Sequence, residues 1–257
     1  MNRIKELFAR KPKGILSVYF TAGYPQKEST VQIIGELERQ GVDMVEIGIP
    51  FSDPMADGPV IQQSSGAALA GGMTLAGLFD QLRDVRRDVK LPLVMMGYLN
   101  PVMQYGFERF CHDCADAGID GLILPDLPFD EYVAEYKPVA DRHNLSVIML
   151  VTPETSTERI RLIDSHTDGF IYMVSAASTT GARESFDGAT LEYMRRVADL
   201  GLRNPRLVGF GISNPATYAA AQAHADGAIV GSAFIRLLGS EPTVQKAVER
   251  LLEKLGK

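Results

Sequence analysis

The sequence predicts a (β/α)8 barrel, the TIM-barrel architecture. Three observations carry that reading. Short apolar runs alternate with amphipathic segments eight times along the chain, and strands alternating with helices imply a parallel sheet. The apolar runs lack a clean in/out alternation, as expected of strands covered on both faces. The 257 residues, with no linker or break in composition, match the size of one closed barrel. Residues 1–257 are therefore expected to form one domain. An open dinucleotide-binding sheet would place a Gly-x-Gly-x-x-Gly after the first strand, and Ala22-Gly23-Tyr24-Pro25 is not one.

Each element follows from its local pattern. Ile4, Leu7 and Phe8 lie three and four apart, predicting an extra N-terminal helix over Asn2 to Arg10. Ile15 to Thr21 is the first strand, and Ser29 to Gln40 is a helix closed by Gly41. The second strand starts at Met44 and runs into a Pro/Gly/Asp loop ending at Pro59. Val60 to Ala70 and Leu75 to Val85 read as two helical pieces split by Gly71-Gly72. Strands follow at Leu93 to Tyr98, Gly121 to Pro125 and Ser146 to Val151, alternating with helices at Pro101 to Ala117 and Phe129 to His143. Ser156 is a fitting cap for a helix over Thr157 to Ser165. Phe170 to Val174 is the sixth strand, followed by a Ser/Thr/Gly/Ala-rich loop to Gly188 and a helix over Leu191 to Leu200. Arg206 to Phe210, the helix Pro215 to His224, and Ala228 to Val230 complete the strands. A short helix, Phe234 to Leu238, and a final amphipathic helix, Thr243 to Leu255, end the chain.

Composition excludes several function classes. Hydrophobic residues make up 46% and charged residues 23%, ordinary for a globular domain. The net charge of −6 offers no basic field for nucleic acid or an anionic membrane, so an anionic ligand must be held by local geometry. No run approaches the length of a membrane span. The charged N-terminal segment lacks a signal-peptide core, and a cytoplasmic location is expected. The two cysteines make no disulfide scaffold. Cys111-His112-Asp113-Cys114 has no second Cys/His cluster to complete a zinc shell, so both cysteines read as core packing. His143, His166 and His224 fall at helix ends and read as surface residues. Arg83, Arg86, Arg87 and Lys90, balanced by Asp84 and Asp88, read as a solvated helix face.

Chemistry concentrates at the strand ends, where barrels of this type carry their active sites. Glu46 interrupts the apolar run Met-Val-Glu-Ile-Gly-Ile. A lone charge there must be paired, protonated or used; an exposed strand end or a structural ion pair remains an equal alternative from the strand alone. Alternation places Met44, Glu46 and Gly48 on one face. If that face is the barrel interior, Gly48 leaves room above the carboxyl, and apolar walls raise its pKa towards neutrality. Asp57 lies in the following loop, Asp126 ends the fourth strand and Tyr172 stands in the sixth. Thr180-Gly181, Gly209-Phe210-Gly211 and Gly231-Ser232-Ala233 follow strands six, seven and eight. The loops after strands seven and eight plus a short helix form the recurrent phosphate site of this fold. Glycine lets backbone N–H groups approach phosphate oxygens, Ser232 adds a hydroxyl, and a helix start adds its dipole.

The segment Glu46 to Pro59, Glu-Ile-Gly-Ile-Pro-Phe-Ser-Asp-Pro-Met-Ala-Asp-Gly-Pro, resembles the signature of the tryptophan synthase alpha chain family. The resemblance spans essentially the whole chain, including Phe20 to Pro25, Pro125 to Pro128 and Gly209 to Ser213. It implies retro-aldol cleavage of indole-3-glycerol phosphate to indole and glyceraldehyde 3-phosphate. Glu46 matches the family's catalytic glutamate and Asp57 its catalytic aspartate. Tyr172 matches a tyrosine beside the glutamate, and Tyr19 and Phe210 match positions lining the indole pocket. Gly181, Gly211, Gly231 and Ser232 match the phosphate cradle, and Thr180 matches a lid threonine. The resemblance implies no metal or organic cofactor in this chain. It implies a beta chain as partner in an alpha2-beta2 heterotetramer, with pyridoxal phosphate in the beta chain only. The loop Pro50 to Pro59 and the helix from Pro101 resemble the partner-facing surfaces. Ser178 and Thr179 stand where Gly and Val are common in the family, which implies a stiffer lid.

Competing readings make separate demands. An indole-glycerol-phosphate synthase needs a lysine inside a strand, and no predicted strand has an interior lysine. A stand-alone indole-3-glycerol-phosphate lyase would keep every catalytic residue and lose only partner dependence. A non-catalytic partner-binding barrel need not retain Glu46, Asp57 and the phosphate glycines together.

Overall fold

The computed structural model describes residues 2–175 and 184–257. Among these residues eight parallel strands close into a barrel in sequence order. They are β1 (Ile15–Thr21), β2 (Met44–Gly48), β3 (Leu93–Met96), β4 (Gly121–Ile123), β5 (Ser146–Val151), β6 (Ile171–Val174), β7 (Arg206–Gly209) and β8 (Gly227–Val230). β8 pairs with β1, so no edge is left open. Every residue of β1 and β2 is buried, as apolar runs without alternation require.

Two apolar layers result. One lies between the strands and the surrounding helices, with Phe20, Ile33, Leu37 and Phe110 among its members. The other fills the barrel, with Met44, Val94, Ile148, Tyr172 and Ile229. The N-terminal helix, Arg3–Arg10, belongs to this inner layer. Its Ile4, Leu7 and Phe8 plug the barrel from below, and Phe8 stacks at 6.3 Å from Phe170. Asn2 caps that helix, accepting from the Ile4 N–H, and donates to the carbonyl oxygens of Asp120 and Asn144.

Several expectations are corrected. Pro101 to Ala117 is not one helix: Leu99–Tyr105 and Phe107–Asp116 meet at Gly106, whose φ of 91° interrupts helical geometry. The helix after β8 is longer than expected, Ser232–Ser240, and starts at the strand's mouth. Arg83 and Arg87 are exposed, but Arg86 folds inward. Its side chain is 16% exposed and pairs at 2.7 Å with Asp120, itself only 3% exposed. Arg86 also donates to the carbonyl oxygens of Leu91 and Gly118. His143 and His166 are half-buried rather than surface residues, His143 beside Glu108 and His166 edge-on to the Phe129 ring. His224 is half-buried as well. Cys111 and Cys114 are fully buried, as core packing requires.

Candidate active site

Parallel strands all point one way, so every strand end that carries chemistry opens on the same face. Glu46 lies inside that end of the barrel. It is fully buried, and in register it pairs with Tyr19 of β1 and Val94 of β3. Ser17 Oγ donates to Glu46 Oε1 at 2.7 Å. Oε2 has no hydrogen-bond partner among the described residues. Neither an exposed strand end nor an ion pair describes this carboxyl. Burial raises its pKa to about 7, and the Ser17 bond opposes that rise.

The glycine two residues on has a steric task. A Cβ on Gly48 would come within 2.2 Å of the Tyr19 hydroxyl, so only glycine lets the Tyr19 ring lie across the mouth of β2. Gly209 does the same for Tyr172, whose hydroxyl would meet an added Cβ at 2.2 Å. Both tyrosines are buried and within electrostatic reach of Glu46 and Asp57, and burial raises both phenols well above their ordinary range. They are neutral hydroxyls at any physiological pH.

Asp57 reaches the site from the loop after β2. It is half-buried, and desolvation raises its pKa, opposed by a hydrogen bond from the Tyr98 hydroxyl. Tyr98 follows β3 and also accepts from the Ala56 N–H at 3.0 Å. Its ring packs 5.5 Å from Phe51. Burial pushes the Tyr98 hydroxyl up to about 12. One tyrosine thus pins the segment that carries Asp57. Asp126, expected on the working face, accepts from the Leu99 N–H and ties down the loop after β3.

A cleft of about 460 Å³ opens beside Tyr19, Asp57 and Tyr98, with Ile49, Met96, Leu150 and Phe210 among its walls. That volume and apolar lining suit a small aromatic ligand. A smaller chamber of about 30 Å³ shares Tyr19, Asp57 and Phe210 and ends at Gly211, Gly231 and Ser232. Ser232 opens the helix after β8, and its N-cap, Gly231, brings no side chain to its first N–H groups. Those groups and the helix dipole favour an anion. Phe210 turns the chain there with φ of 66°, a left-handed conformation uncommon outside glycine, and Ser175 Oγ donates to its carbonyl oxygen at 2.6 Å.

The structure therefore brings Glu46, Asp57, Tyr19, Tyr172, Phe210, Gly211, Gly231 and Ser232 to one end of the barrel. Thr180 and Gly181, with Ser178 and Thr179, lie outside the described residues. Ser17 and Tyr98 were not singled out from sequence. Ser17 carried a usable signal, since it shares strand parity with Tyr19; Tyr98 carried none. Among the described residues no three His, Cys, Asp or Glu side chains come together as metal ligands.

A model of the tryptophan synthase alpha chain family matches residues 6–257. The chain belongs to that family. The tryptophan synthase alpha chain of Parabacteroides distasonis is 60% identical over 255 residues, covering 99% of each chain. That of Bacteroides thetaiotaomicron is 56% identical, covering 99% of this chain and all of its own. Among solved structures, Mycobacterium tuberculosis tryptophan synthase is similar at a TM-score of 0.89 with 33% identity, covering 99% of this chain and 96% of its own. Tryptophan synthase subunit alpha of Legionella pneumophila is similar at 0.87 with 36% identity, covering 99% and 97%. The eight-stranded barrel of this tryptophan synthase alpha chain family member is thus shared with solved relatives along nearly the whole chain.

Proposed function

We propose that this chain is the lyase half of a tryptophan synthase, cleaving indole-3-glycerol phosphate to indole and glyceraldehyde 3-phosphate. One observation carries the reading: Glu46, a fully buried carboxyl titrating near 7 with one oxygen unpartnered among the described residues, sits in register with Tyr19, which lines both the apolar cleft and the small chamber that ends at Gly231 and Ser232. A permanently ionised carboxylate could not donate a proton, and an ordinary one would be ionised at neutral pH.

Glu46 starts protonated and gives its proton to indole C3. Positive charge then spreads to the ring nitrogen, where Asp57 accepts the N–H bond and stabilises it. Glu46, now a carboxylate, takes the proton of the side-chain hydroxyl. The carbon–carbon bond breaks, its electrons return to the indole ring, and the former alcohol leaves as the aldehyde of glyceraldehyde 3-phosphate. Glu46 ends protonated, so the proton balance closes. Tyr19, Tyr172 and Phe210 wall the ring, while Gly211, Gly231 and Ser232 hold the phosphate; the family resemblance adds Thr180 and Gly181 to the substrate-binding residues.

The chain needs no cofactor for this step, and pyridoxal phosphate belongs to the beta chain. Met55, 81% exposed, and Met103, 57% exposed, lie on the two segments expected to face that chain, which supports an alpha2-beta2 assembly. No helix among the described residues is long and apolar enough to cross a membrane, and we read the protein as cytoplasmic, with residues 1–257 as one domain. Indole release from indole-3-glycerol phosphate, measured with and without a beta chain, tests the proposal. Release strongly raised by the partner is expected. Equally fast release without it would make the protein a stand-alone lyase, and no release in either case would overturn the reading.

A further inference from the structure

We infer that Ser17 is a positioning residue for the reaction: its hydroxyl holds Glu46 Oε1 as an acceptor, so that the acid proton resides on Oε2. The inference rests on Glu46 being the proton donor of the proposed function. It adds which oxygen does the work and what decides it.

Ser17 stands on the interior face of β1, two residues below Tyr19, fully buried with the apolar Met44 and Ile229 as its register partners. A hydroxyl in such a place needs a partner. Among the described residues the bond to Glu46 Oε1 at 2.7 Å is the one its hydroxyl makes. A hydroxyl that donates to Oε1 leaves that oxygen carbonyl-like and disfavours a proton on it. The proton is left to Oε2, the oxygen without a partner among the described residues. After the proton has gone to the substrate, the same bond stabilises the carboxylate. Ser17 therefore makes Glu46 a stronger acid than burial alone would leave it.

The other titratable groups facing Glu46 cannot take over this task. Tyr19 on β1 and Tyr172 on β6 remain neutral phenols, and Asp57 in the loop after β2 has the same sign as the carboxylate. Burial and the Ser17 bond are what move the Glu46 carboxyl, and among the described residues no basic side chain acts on it.

The test is indole release across pH for wild type, Ser17→Ala, Ser17→Thr and Glu46→Gln. Release falls as pH rises through the Glu46 pKa, because the donor must start protonated. Ser17→Ala should move that alkaline limb up by about one pH unit, since a hydrogen bond to a charged group is lost. It should also lower the plateau about 10-fold, with KM unchanged, because a weaker acid protonates C3 more slowly. Ser17→Thr, which restores a hydroxyl, should return both towards wild type. The infrared carbonyl stretch of protonated Glu46, assigned by its loss in Glu46→Gln, should move to higher frequency in Ser17→Ala; this readout needs no catalysis. An unmoved limb and an unmoved band in Ser17→Ala, with Glu46→Gln inactive, would overturn the role of Ser17 and leave the proposed function intact. Full release by Glu46→Gln would overturn the proton-donor reading itself.

Discussion

Two buried carboxylates in this barrel are treated in opposite ways. Asp120, at the N-terminal end of β4, is met by Arg3 at 3.0 Å and Arg86 at 2.7 Å and also accepts from the Leu93 N–H. Glu46, near the C-terminal end of β2, has one serine hydroxyl and, among the described residues, no cation. Through its two arginine partners Asp120 joins the N-terminal plug to the strands. Glu46 is left under-supported, and its proton stays movable near neutral pH. The lower end of the barrel spends its polar groups on holding shape, and the upper end withholds them so that a proton can be exchanged.

Removing each carboxylate should break the comparison in different places. Glu46→Gln should lower indole release by about 10³-fold, the range of a lost general acid–base group, without loss of fold by circular dichroism. Asp120→Ala should instead cost about 3–5 kcal/mol in stability, because Arg86 is left buried without its counter-charge. Urea unfolding measures that loss, and indole release at low temperature should persist. Equal effects of the two substitutions on activity would erase the distinction.

Stability against pH sharpens it further. The Glu46 carboxyl titrates near 7 in the folded chain against an ordinary 4.5. Between those values the unfolded chain has released a proton that the folded chain retains, so this group's stabilisation is full below 4.5 and is lost as pH rises to 7. Glu46→Gln cannot ionise, so it should gain up to about 3 kcal/mol on wild type between pH 4 and pH 8. Paired urea titrations at the two pH values check the sign. The smallest expected effect is that of Tyr98→Phe, which removes the hydroxyl shared by Ala56 and Asp57. A fall of about 10-fold in kcat is expected, corresponding to one hydrogen bond to a charged group. An unchanged kcat would show that the loop holds Asp57 without it.

How legible each site was depends on where its partners lie in the chain. Glu46 and Gly48 could be read because a strand alternates with period two and a charge inside an apolar run is conspicuous. The glycines after β7 and β8 could be read because short turns between elements leave few conformations open. The local pattern puts Arg86 on a solvated face because Asp84 and Asp88 balance it there, whereas its true partner, Asp120, is remote in sequence. The break at Gly106 is not legible because the apolar pattern continues across it, and only the backbone angle ends the helix. Tyr98 is hard to read for a related reason: a tyrosine at a strand end has many uses, and the chain's path after β2 selects one.

By itself the sequence determined the eight-fold alternation, the closed parallel sheet it implies, and the carboxylates and glycines at the strand ends. These are local matters of periodicity, turn chemistry and the expense of burying charge. Only the tertiary structure decided that Ser17 meets Glu46, that Tyr19 fills the space above Gly48, and that Arg86 turns inward to Asp120. Each of these joins residues on different elements. Barrel closure sets their distances, and burial sets the strength of the contact.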